Sequence, residues 1–352
     1  MADGELDLRQ LSDLATPWCL RVLVTLGLAR RLADTPATAA ELAKNVGADV
    51  DLLELVLRQL ASVGVVSTDE TGRYRLATAA RELTEGEHAM MLDVDGIGGR
   101  FSGAWATLPE VVRTGRPAYE QMYGLPFWED IAAHPELGAQ FDAMMGEGHH
   151  VADPDVLPAG DLAGMTTVVD VGGGTGTLLK AVLQGYPDLH GILVDLPPTI
   201  DRAVAGIVAA GLTDRISLVR QSFFDPLPSG GDVYLVSGIL NDWPDDEAVA
   251  ILTRCREAAG DGGVVVVMGG VSPDSAEHPA GSHGSAHRRA AITVETVLLG
   301  GRTRSMRAFT GLAKRAGLVV VAEAPSSFRG YAVQLQPEDG SPAPDADVTP
   351  PD

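Results

Sequence analysis

The sequence predicts an α/β protein with a mostly parallel sheet, preceded by a mainly helical N-terminal domain. From residue 166 onward, apolar runs of strand length alternate with helical stretches: "TTVVDVGGG", "HGILVDL", "ISLVRQSFF", "DVYLVSGIL" and "GGVVVVMGG". Buried parallel strands have this continuous Val/Ile/Leu character, and the alternation is typical of α/β folds. A glycine-rich turn follows the first of these runs, which is where such folds bind ligands.

The N-terminal residues predict helices followed by a β-hairpin. Residues 6–33 carry a dense apolar stripe at helical spacing, typical of a core or a subunit interface. Thr38 is the predicted N-cap of the next helix, and Glu41 completes a capping box. A further helix is predicted over about residues 50–63, before "VVST" and "RYRLA" around the turn "DETG". This order is the winged-helix pattern, which we assign to residues 1–90.

Three further segments follow from composition. Residues 91–160 are predicted to be a helical linker, with a loop and then a helix across "RTGRPAYEQMYGLPFWEDIAAHPELGAQFDAMM". Residues 161–336 form the predicted α/β domain. Residues 337–352 are rich in Pro and Asp, which predicts a disordered tail.

Composition and charge restrict the function classes. The 352-residue chain has a formal net charge of −22, which disfavours binding to nucleic acid and anionic lipid. A winged helix invites a DNA-binding regulator as an alternative. However, residues 1–90 contain nine Lys or Arg against fourteen Asp or Glu, so the basic surface that DNA requires is missing. We expect a small-molecule partner and neither nucleic acid nor membrane.

The cysteines and histidines give no metal motif. Cys19 and Cys255 lack C-x-x-C spacing, which argues for a reducing compartment and against zinc. His278, His283 and His287 lie in a Gly/Ser/Pro setting that favours a loop over a metal site. With no signal-peptide pattern and no apolar run of membrane-spanning length, the expectation is a cytoplasmic protein without a metal.

The segment "VVDVGGGTGTLL" is the strongest local motif. The strand is predicted to end at Asp170, and the helix to begin near Thr177. Gly172 and Gly174 permit positive φ and close approach of a ligand to the backbone, although the third glycine of G-x-G-x-x-G is absent. Asp195 ends the next strand, where an acid can bond ribose hydroxyls. Taken alone, the motif also fits a tight turn in a purely structural domain.

Several motifs in one order resemble a known family. "DVGGGTGTLL", "VDLPPTI", "FFDPLP", "ILNDWPDDEAVAILTRCREA" and "GGRTRS" follow the winged-helix pattern. The chain thus resembles, over about residues 6–335, class I S-adenosylmethionine (SAM)-dependent O-methyltransferases of the dimeric type that act on phenols. It is most similar to bacterial anthracycline-type tailoring enzymes. The resemblance implies a Rossmann-like methyltransferase domain with a seven-stranded sheet, a winged-helix dimerisation domain, and an acceptor pocket formed partly by residues 91–160. It also implies a homodimer through the N-terminal helices, SAM as cofactor and S-adenosylhomocysteine (SAH) as product.

The resemblance assigns roles to individual residues. The implied cofactor contacts are Asp170, Gly172, Gly174, Asp195, Leu196, Ser222, Phe223 and Ser237. The implied acceptor contacts are Phe141, Met144, Met145, Trp243 and Asn241, of which the first three equally fit an ordinary helix core. Asp195 would hold the ribose, and Leu196 and Phe223 would flank the adenine. Ser222 stands where the family usually has aspartate, which weakens one adenine hydrogen bond.

The catalytic positions of the plant-type members are changed in this chain. There a histidine takes the phenol proton and two glutamates orient it, whereas Asn241, Gly269 and Met306 occupy those positions here. An asparagine amide does not accept a proton at neutral pH, but it hydrogen-bonds a hydroxyl. Methyl transfer by proximity and desolvation, without a histidine base, is therefore the leading hypothesis.

Other candidate catalytic groups and other activities stay open. Asp242 is predicted to lie near the pocket, and His149 or His150 is a candidate relocated base. Arg302 and Arg304 are candidates either for contact with an acidic acceptor or for the surface. The alternative enzymatic hypothesis is a SAM-binding decarboxylase or hydroxylase acting on a similar aromatic scaffold. A catalytically inactive SAM-binding scaffold is a third hypothesis.

Overall fold

The computed structural model describes residues 7–147, 164–272, 292–325 and 331–338. The chain divides into two compact units, Met1–Gly103 and Ala104–Asp352. His149, His150 and the histidines at positions 278, 283 and 287 lie outside the described residues.

The first unit is mainly helical. Its helices are α1 (Leu8–Leu11), α2 (Ala15–Thr25), α3 (Leu28–Asp34), α4 (Ala39–Val46), α5 (Val50–Ser62), α6 (Glu87–Leu92) and most of α7 (Ile97–Trp105). Strands β1 (Val66–Thr68) and β2 (Tyr74–Leu76) form an antiparallel hairpin, and a 3₁₀ turn follows at Thr78–Leu83. The predicted helix–hairpin order is confirmed.

Local sequence signals determine where these helices begin. At α4, the Glu41 N–H donates to Thr38 Oγ1 (3.2 Å) and the Thr38 N–H donates to Glu41 Oε2 (2.9 Å), so the predicted capping box is confirmed. Leucines from α2, α3, α4 and α5 form the core of this unit. Large apolar side chains on α1, α2 and α5 are nevertheless exposed: Leu8, Leu11, Leu14, Trp18, Val50, Leu52 and Leu55.

The second unit alternates helices and strands around one sheet. Its helices are α8 (Leu108–Thr114), α9 (Tyr119–Tyr123), α10 (Phe127–Ala133), α11 (Pro135–Glu147), α12 (Thr177–Gly185), α13 (Pro197–Ala209), α14 (Asp245–Ala259), α15 (Val294–Leu299) and α16 (Met306–Arg315). Its strands are β3 (Thr167–Val171), β4 (His190–Asp195), β5 (Ile216–Arg220), β6 (Val233–Ser237), β7 (Val264–Met268), β8 (Val271–Ser272), β9 (Arg304–Ser305), β10 (Leu318–Ala324) and β11 (Ala332–Pro337). A 3₁₀ turn, Leu240–Asp242, precedes α14.

Within the described part of the chain, seven strands form the main sheet in the order β10-β11-β7-β6-β3-β4-β5. The last five in that order are parallel, and β11 and β10 are added antiparallel at one edge. β6 and β7 are almost wholly buried, as their Val-rich sequences predict. In the sheet, β3 has β4 on one side and β6 on the other. The chain runs from β3 to β4 and β5 and then crosses to β6, so the carboxyl ends of these strands flank a topological switch point.

The segment between Arg113 and Met145 differs from the prediction. A loop followed by one helix was expected, whereas the structure has three short helices, α9, α10 and α11. Gly124 ends α9 in the left-handed region (φ +83°), and Pro126 and Pro135 stand at the starts of α10 and α11. Glycine and proline thus divide one apolar stretch into three helices.

Among the described residues, no single helix is long and apolar enough to cross a bilayer. One pair of segments, Leu8–Thr25 and Leu28–Asp34, passes jointly by length and composition, but is bent by 74°. No group of three or more His, Cys, Asp or Glu side chains in that part of the chain could hold a metal ion.

Candidate active site

A cavity of about 440 Å³ lies at the carboxyl ends of β3, β4 and β6. It brings together most of the residues assigned from the sequence: Asp170, Gly172, Gly174, Asp195, Leu196, Ser222, Phe223, Ser237, Phe141, Met145, Asp242 and Trp243. Met144 is 7% exposed and is one of the buried apolar residues. It therefore fits the alternative given for it above, an ordinary place in the helix core. Asn241 lines a second, adjacent recess.

The glycine turn between β3 and α12 forms one wall of the cavity. Gly172 has φ +66°, and its N–H donates to Val194 O at 2.8 Å, which ties the turn to β4. A Cβ on Gly173 would overlap the buried Asp170 carboxyl group and lie 2.6 Å from Leu193 Cδ1. Gly173 was not singled out in the sequence, yet it is the position where the turn packs most tightly on the strand beneath it. Asp170 therefore supports this turn from below.

Asp195 closes the same turn from β4. Its Oδ2 accepts from the Gly174 N–H (2.8 Å), and its Oδ1 accepts from the Leu196 N–H (2.7 Å). Burial raises the pKa of the Asp195 carboxyl above its ordinary value, against the opposing effect of these two bonds. Because a carboxylate has about four acceptor sites, both oxygens keep capacity for hydroxyl donors.

The chemistry of the cavity fits SAM. The carboxylates of Asp142, Asp170, Asp195, Asp225 and Asp242 line it, which favours a cationic sulfonium. Among the described lining residues, the guanidinium of Arg202 is the one basic group, and it pairs with Asp142. The N-terminus of α12 and the glycine-rich turn before it offer backbone N–H groups. The Asp195 carboxylate offers acceptors for ribose hydroxyls.

An aromatic group forms a second wall. Phe223 and Phe224 meet Trp243 edge-on, with ring centroids 5.9 Å and 4.9 Å apart. Ser222 Oγ accepts from the Phe224 N–H at 3.2 Å, so this side chain holds the turn that carries Phe223. Such a wall suits flat aromatic groups, because edge-to-face and stacked contacts are both favourable.

Trp128 was missed in the sequence analysis. Its ring lies 5.3 Å from that of Phe141 at 90°, and both line the cavity. Trp128 Nε1 and Ser237 Oγ are buried and have no hydrogen-bond partner among the described residues. Since unpaired buried polar atoms are rare, they mark places where a bound molecule can supply the partner. The only sequence signal was a tryptophan in "LPFWED". In so short a helix, the spacing of apolar residues does not show whether such a side chain lines a cavity or packs in the core.

The 3₁₀ turn Leu240–Asp242 carries Asn241, which the resemblance aligns with the family's histidine. Asn241 Nδ2 donates to Asp242 Oδ1 at 2.8 Å, which leaves the Asn241 amide oxygen as an acceptor. Gly269, at the position of the first family glutamate, lines the same recess as Asn241. Met306, at the position of the second, packs against the core of the sheet.

Arg304 has a structural role. Its side chain is 2% exposed. Of the two roles considered for Arg304, contact with an acidic acceptor or a place on the surface, the surface role was therefore wrong. It donates to Leu240 O (2.6 Å), Trp243 O (2.7 Å) and Asp245 Oδ1 (2.9 Å). Asp245 lies in the first turn of α14, as expected. This network fixes the 3₁₀ turn and so positions Asn241 and Asp242.

Comparison with known proteins agrees with this geometry. A family profile described as O-methyltransferase domain matches residues 105–319, and one described as O-methyltransferase dimerisation domain matches residues 8–86. The chain belongs to the O-methyltransferase family. The resemblance drawn from the sequence motifs and the predicted fold class are thereby confirmed.

Individual relatives of this O-methyltransferase carry different names. The chain is 40% identical over 329 residues to 2,7-dihydroxy-5-methyl-1-naphthoate 7-O-methyltransferase of Streptomyces carzinostaticus, covering 92% of this chain and 96% of the relative. It is 36% identical over 333 residues to aclacinomycin 10-hydroxylase RdmB of Streptomyces purpurascens, covering 91% and 86%. The crystal structure of NcsB1, an O-methyltransferase from neocarzinostatin biosynthesis in complex with SAH and 1,4-dihydroxy-2-naphthoic acid, superposes with a TM-score of 0.85 at 38% identity, covering 95% and 99%.

Proposed function

We propose that this O-methyltransferase transfers the methyl group of SAM to a phenolic hydroxyl of a polycyclic aromatic natural product, of the polyketide or anthraquinone kind. One observation carries the proposal. A single cavity is lined by the glycine turn and Asp195 and also by the aromatic side chains of Trp128, Phe141 and Trp243. The 40% identical relative is named for methylation of a hydroxylated naphthoate, which is a fused-ring phenol of this class.

The cofactor half of the site is assigned to the residues around the glycine turn. Asp195 would bind the ribose hydroxyls, Leu196 and Phe223 would flank the adenine, and Ser237 Oγ would bind near the sulfonium. SAM supplies an electrophilic methyl group at this position. The five carboxylates of the cavity stabilise the cationic cofactor and bind the neutral product SAH less strongly.

In the acceptor half, the chain's part is to hold the phenol oxygen in line with the methyl group. Trp243, Phe141 and Met145 would cover the aromatic rings, and the Asn241 amide oxygen would accept a hydrogen bond from the hydroxyl. Excluding water and fixing this geometry can lower the activation barrier by several kcal/mol, because orientation effects reach about 7–11 kcal/mol in favourable cases. A histidine base is not required where the phenol is acidified by a neighbouring carbonyl.

For the N-terminal part we propose a dimerisation role for residues 1–90, an acceptor-pocket role for 91–160 and catalysis by 161–336. The exposed apolar residues of α1, α2 and α5 would form a homodimer interface, because so many large apolar side chains are rarely left open on one small unit. Light scattering at micromolar concentration should give twice the chain mass, whereas a monomer would contradict the assignment. The free cysteines fit the reducing cytoplasm.

The test is a mass-spectrometric screen of hydroxylated naphthoates, anthraquinones and phenazines with SAM. A mass gain of one methylene unit, with SAH formed in equal amount, supports the proposal. Omitting SAM is one control and should abolish the product. An Asp195→Ala variant is the other and should form less product at limiting SAM, because its cofactor binding is weaker.

A second candidate function rests on one comparison. The chain is 36% identical to a relative named as a hydroxylase, close to its similarity to relatives named as methyltransferases. The alternative is therefore a SAM-binding decarboxylase or hydroxylase acting on the same kind of scaffold. In the same screen it would give loss of a carboxyl group or gain of one oxygen, with SAM not consumed.

A further inference from the structure

A small recess of about 220 Å³ adjoins the main cavity, and it contains a carboxylate to which no function was assigned. Its lining residues are Asn241, Gly269, Gly270, Thr293, Glu295 and Thr303. Glu295 is a half-buried side chain in the first turn of α15. It forms no hydrogen bond or ion pair with any of the residues that the structure describes.

The recess and the main cavity share a wall. Ser237 and Met268 are paired in register on β6 and β7, and the next residue on each strand is a glycine. The Gly238 N–H donates to Met268 O at 2.8 Å, so Gly238, which lines the cavity, lies beside Gly269, which lines the recess. Asn241 lines the recess and its neighbour Asp242 lines the cavity.

Backbone packing holds α15 against this wall. α15 contacts the 3₁₀ turn Leu240–Asp242 directly. After α15, the chain passes so close to that turn that a Cβ on Gly301 would overlap Asn241 O and the carbonyl carbon of Asp242. A Cβ on Gly270 would lie 3.0 Å from Asn241 Cβ. Close packing at Gly270 and Gly301 thus holds Asn241 in the same recess that Glu295 lines.

We propose that Glu295 accepts the proton of the acceptor hydroxyl, in the place that the family's histidine would fill. This inference rests on the proposed function. The phenol O–H bond breaks with its proton going to the Glu295 carboxylate. The phenol oxygen forms a bond to the methyl carbon, and the methyl–sulfur bond breaks with its electron pair remaining on sulfur. The single hydroxyl proton would be shared between Asn241 Oδ1 and the Glu295 carboxylate in the bound acceptor, and it would pass to Glu295 during methyl transfer. Asp242 is bonded to Asn241 Nδ2.

Two variants separate the charge of Glu295 from its shape. Glu295→Gln keeps the size and removes the proton acceptor, and Glu295→Ala removes both. Glu247→Gln is the matched control, because Glu247 is also a half-buried glutamate in the first turn of a helix, α14, but lines neither the cavity nor the recess. The Glu247→Gln variant therefore measures how much activity is lost merely by removing a negative charge from a helix N-terminus.

The kinetic test uses hydroxynaphthoates that differ in phenol acidity. Glu295→Gln should lower kcat by about 10²-fold or more, the range of general-base catalysis, with KM for SAM unchanged. The loss should shrink as the acceptor becomes more acidic, because an ionised phenol needs no base. A loss equal to that of Glu247→Gln, or one independent of acceptor acidity, would overturn the proposal.

A binding test works without turnover. With SAH bound, Glu295→Ala should weaken binding of a hydroxynaphthoate by about tenfold, as for one lost hydrogen bond to a charged group, and leave its methyl ether within about twofold. Equal effects on phenol and ether would refute the role of Glu295. If wild-type enzyme methylates none of the phenols in the screen described above, the proposed function fails. The comparison of phenol with ether still decides whether Glu295 accepts a hydrogen bond from a bound hydroxyl.

Discussion

Replacing Asp195 with asparagine tests the cofactor half of the site. In the wild-type protein each carboxylate oxygen accepts one backbone N–H, from Gly174 and Leu196, and would also accept from the ribose. Asparagine retains one acceptor oxygen and places an NH₂ group against the other N–H. A hydrogen bond to a charged group contributes about 1.5–3 kcal/mol, so SAH binding should weaken by about tenfold to a hundredfold.

The affinity for SAH should also depend on pH, because Asp195 ionises. Burial raises the pKa of Asp195 in the free protein, and ribose hydroxyls bond more strongly to the ionised form. Affinity should therefore rise as pH increases through this raised pKa and then stay constant. Folding has the opposite sign, since stability from a raised carboxyl pKa is present at low pH and is lost as pH rises toward that pKa. Asp195→Asn should remove both dependences.

Titration calorimetry with SAH at a series of pH values above the ordinary aspartate pKa of about 3.9 measures how the affinity changes with pH. Asp201→Asn is the control, because it makes the same charge change at a surface carboxylate paired with Arg220. Unchanged affinity in Asp195→Asn, or wild-type affinity that falls with rising pH, would refute the assignment.

Four further predictions follow, three for the turns that shape the site and one for the candidate relocated base. Gly173→Ala should lower the free energy of unfolding by about 1–3 kcal/mol in urea titration and weaken SAH binding, because its Cβ overlaps Asp170. Arg304→Met leaves Leu240 O and Trp243 O without their donor, so the melting temperature should fall and turnover should drop. Asn241→Ala should leave SAH affinity intact, lower turnover by about tenfold and keep the rate–pH profile, since no ionising group is lost. His149→Ala and His150→Ala should also keep that profile, and loss of a limb near the histidine pKa of about 6.5 would identify a relocated base.

The sequence predicted the parts of the fold that depend on neighbours in the chain. The capping box of Thr38 and Glu41, the hairpin of β1 and β2 and the helix start at Thr177 are local, and the structure confirms them. The first strand ends one residue later than expected, at Val171. β10 and β11 were not identified as individual strands. β11, "AVQLQP", alternates apolar and polar residues and lacks the continuous apolar runs of β3 and β7, whereas the run "LVVVA" at the start of β10 was a signal that was overlooked.

The site was predictable where one motif carries it. Gly172, Gly174 and Asp195 belong to one strand–turn–helix–strand unit, so their spacing places them together. Trp128 and Glu295 belong to segments far from that unit and far from each other in the chain. Only the packing of α10 and of α15 brings them to the cavity and the recess, and no local pattern encodes that packing.

The loss of the histidine is best understood from the shape of the recess. Gly269 has no side chain to reach Asn241, and Met306 packs against the core of the sheet. With the alignment that the resemblance implies, a histidine at position 241 would have neither of its family partners to orient it. The recess beside Gly269 is lined by Glu295 instead. Under our proposal the base would move from residue 241 to a residue of α15 without movement of the sheet, because Arg304 fixes the 3₁₀ turn that presents residue 241.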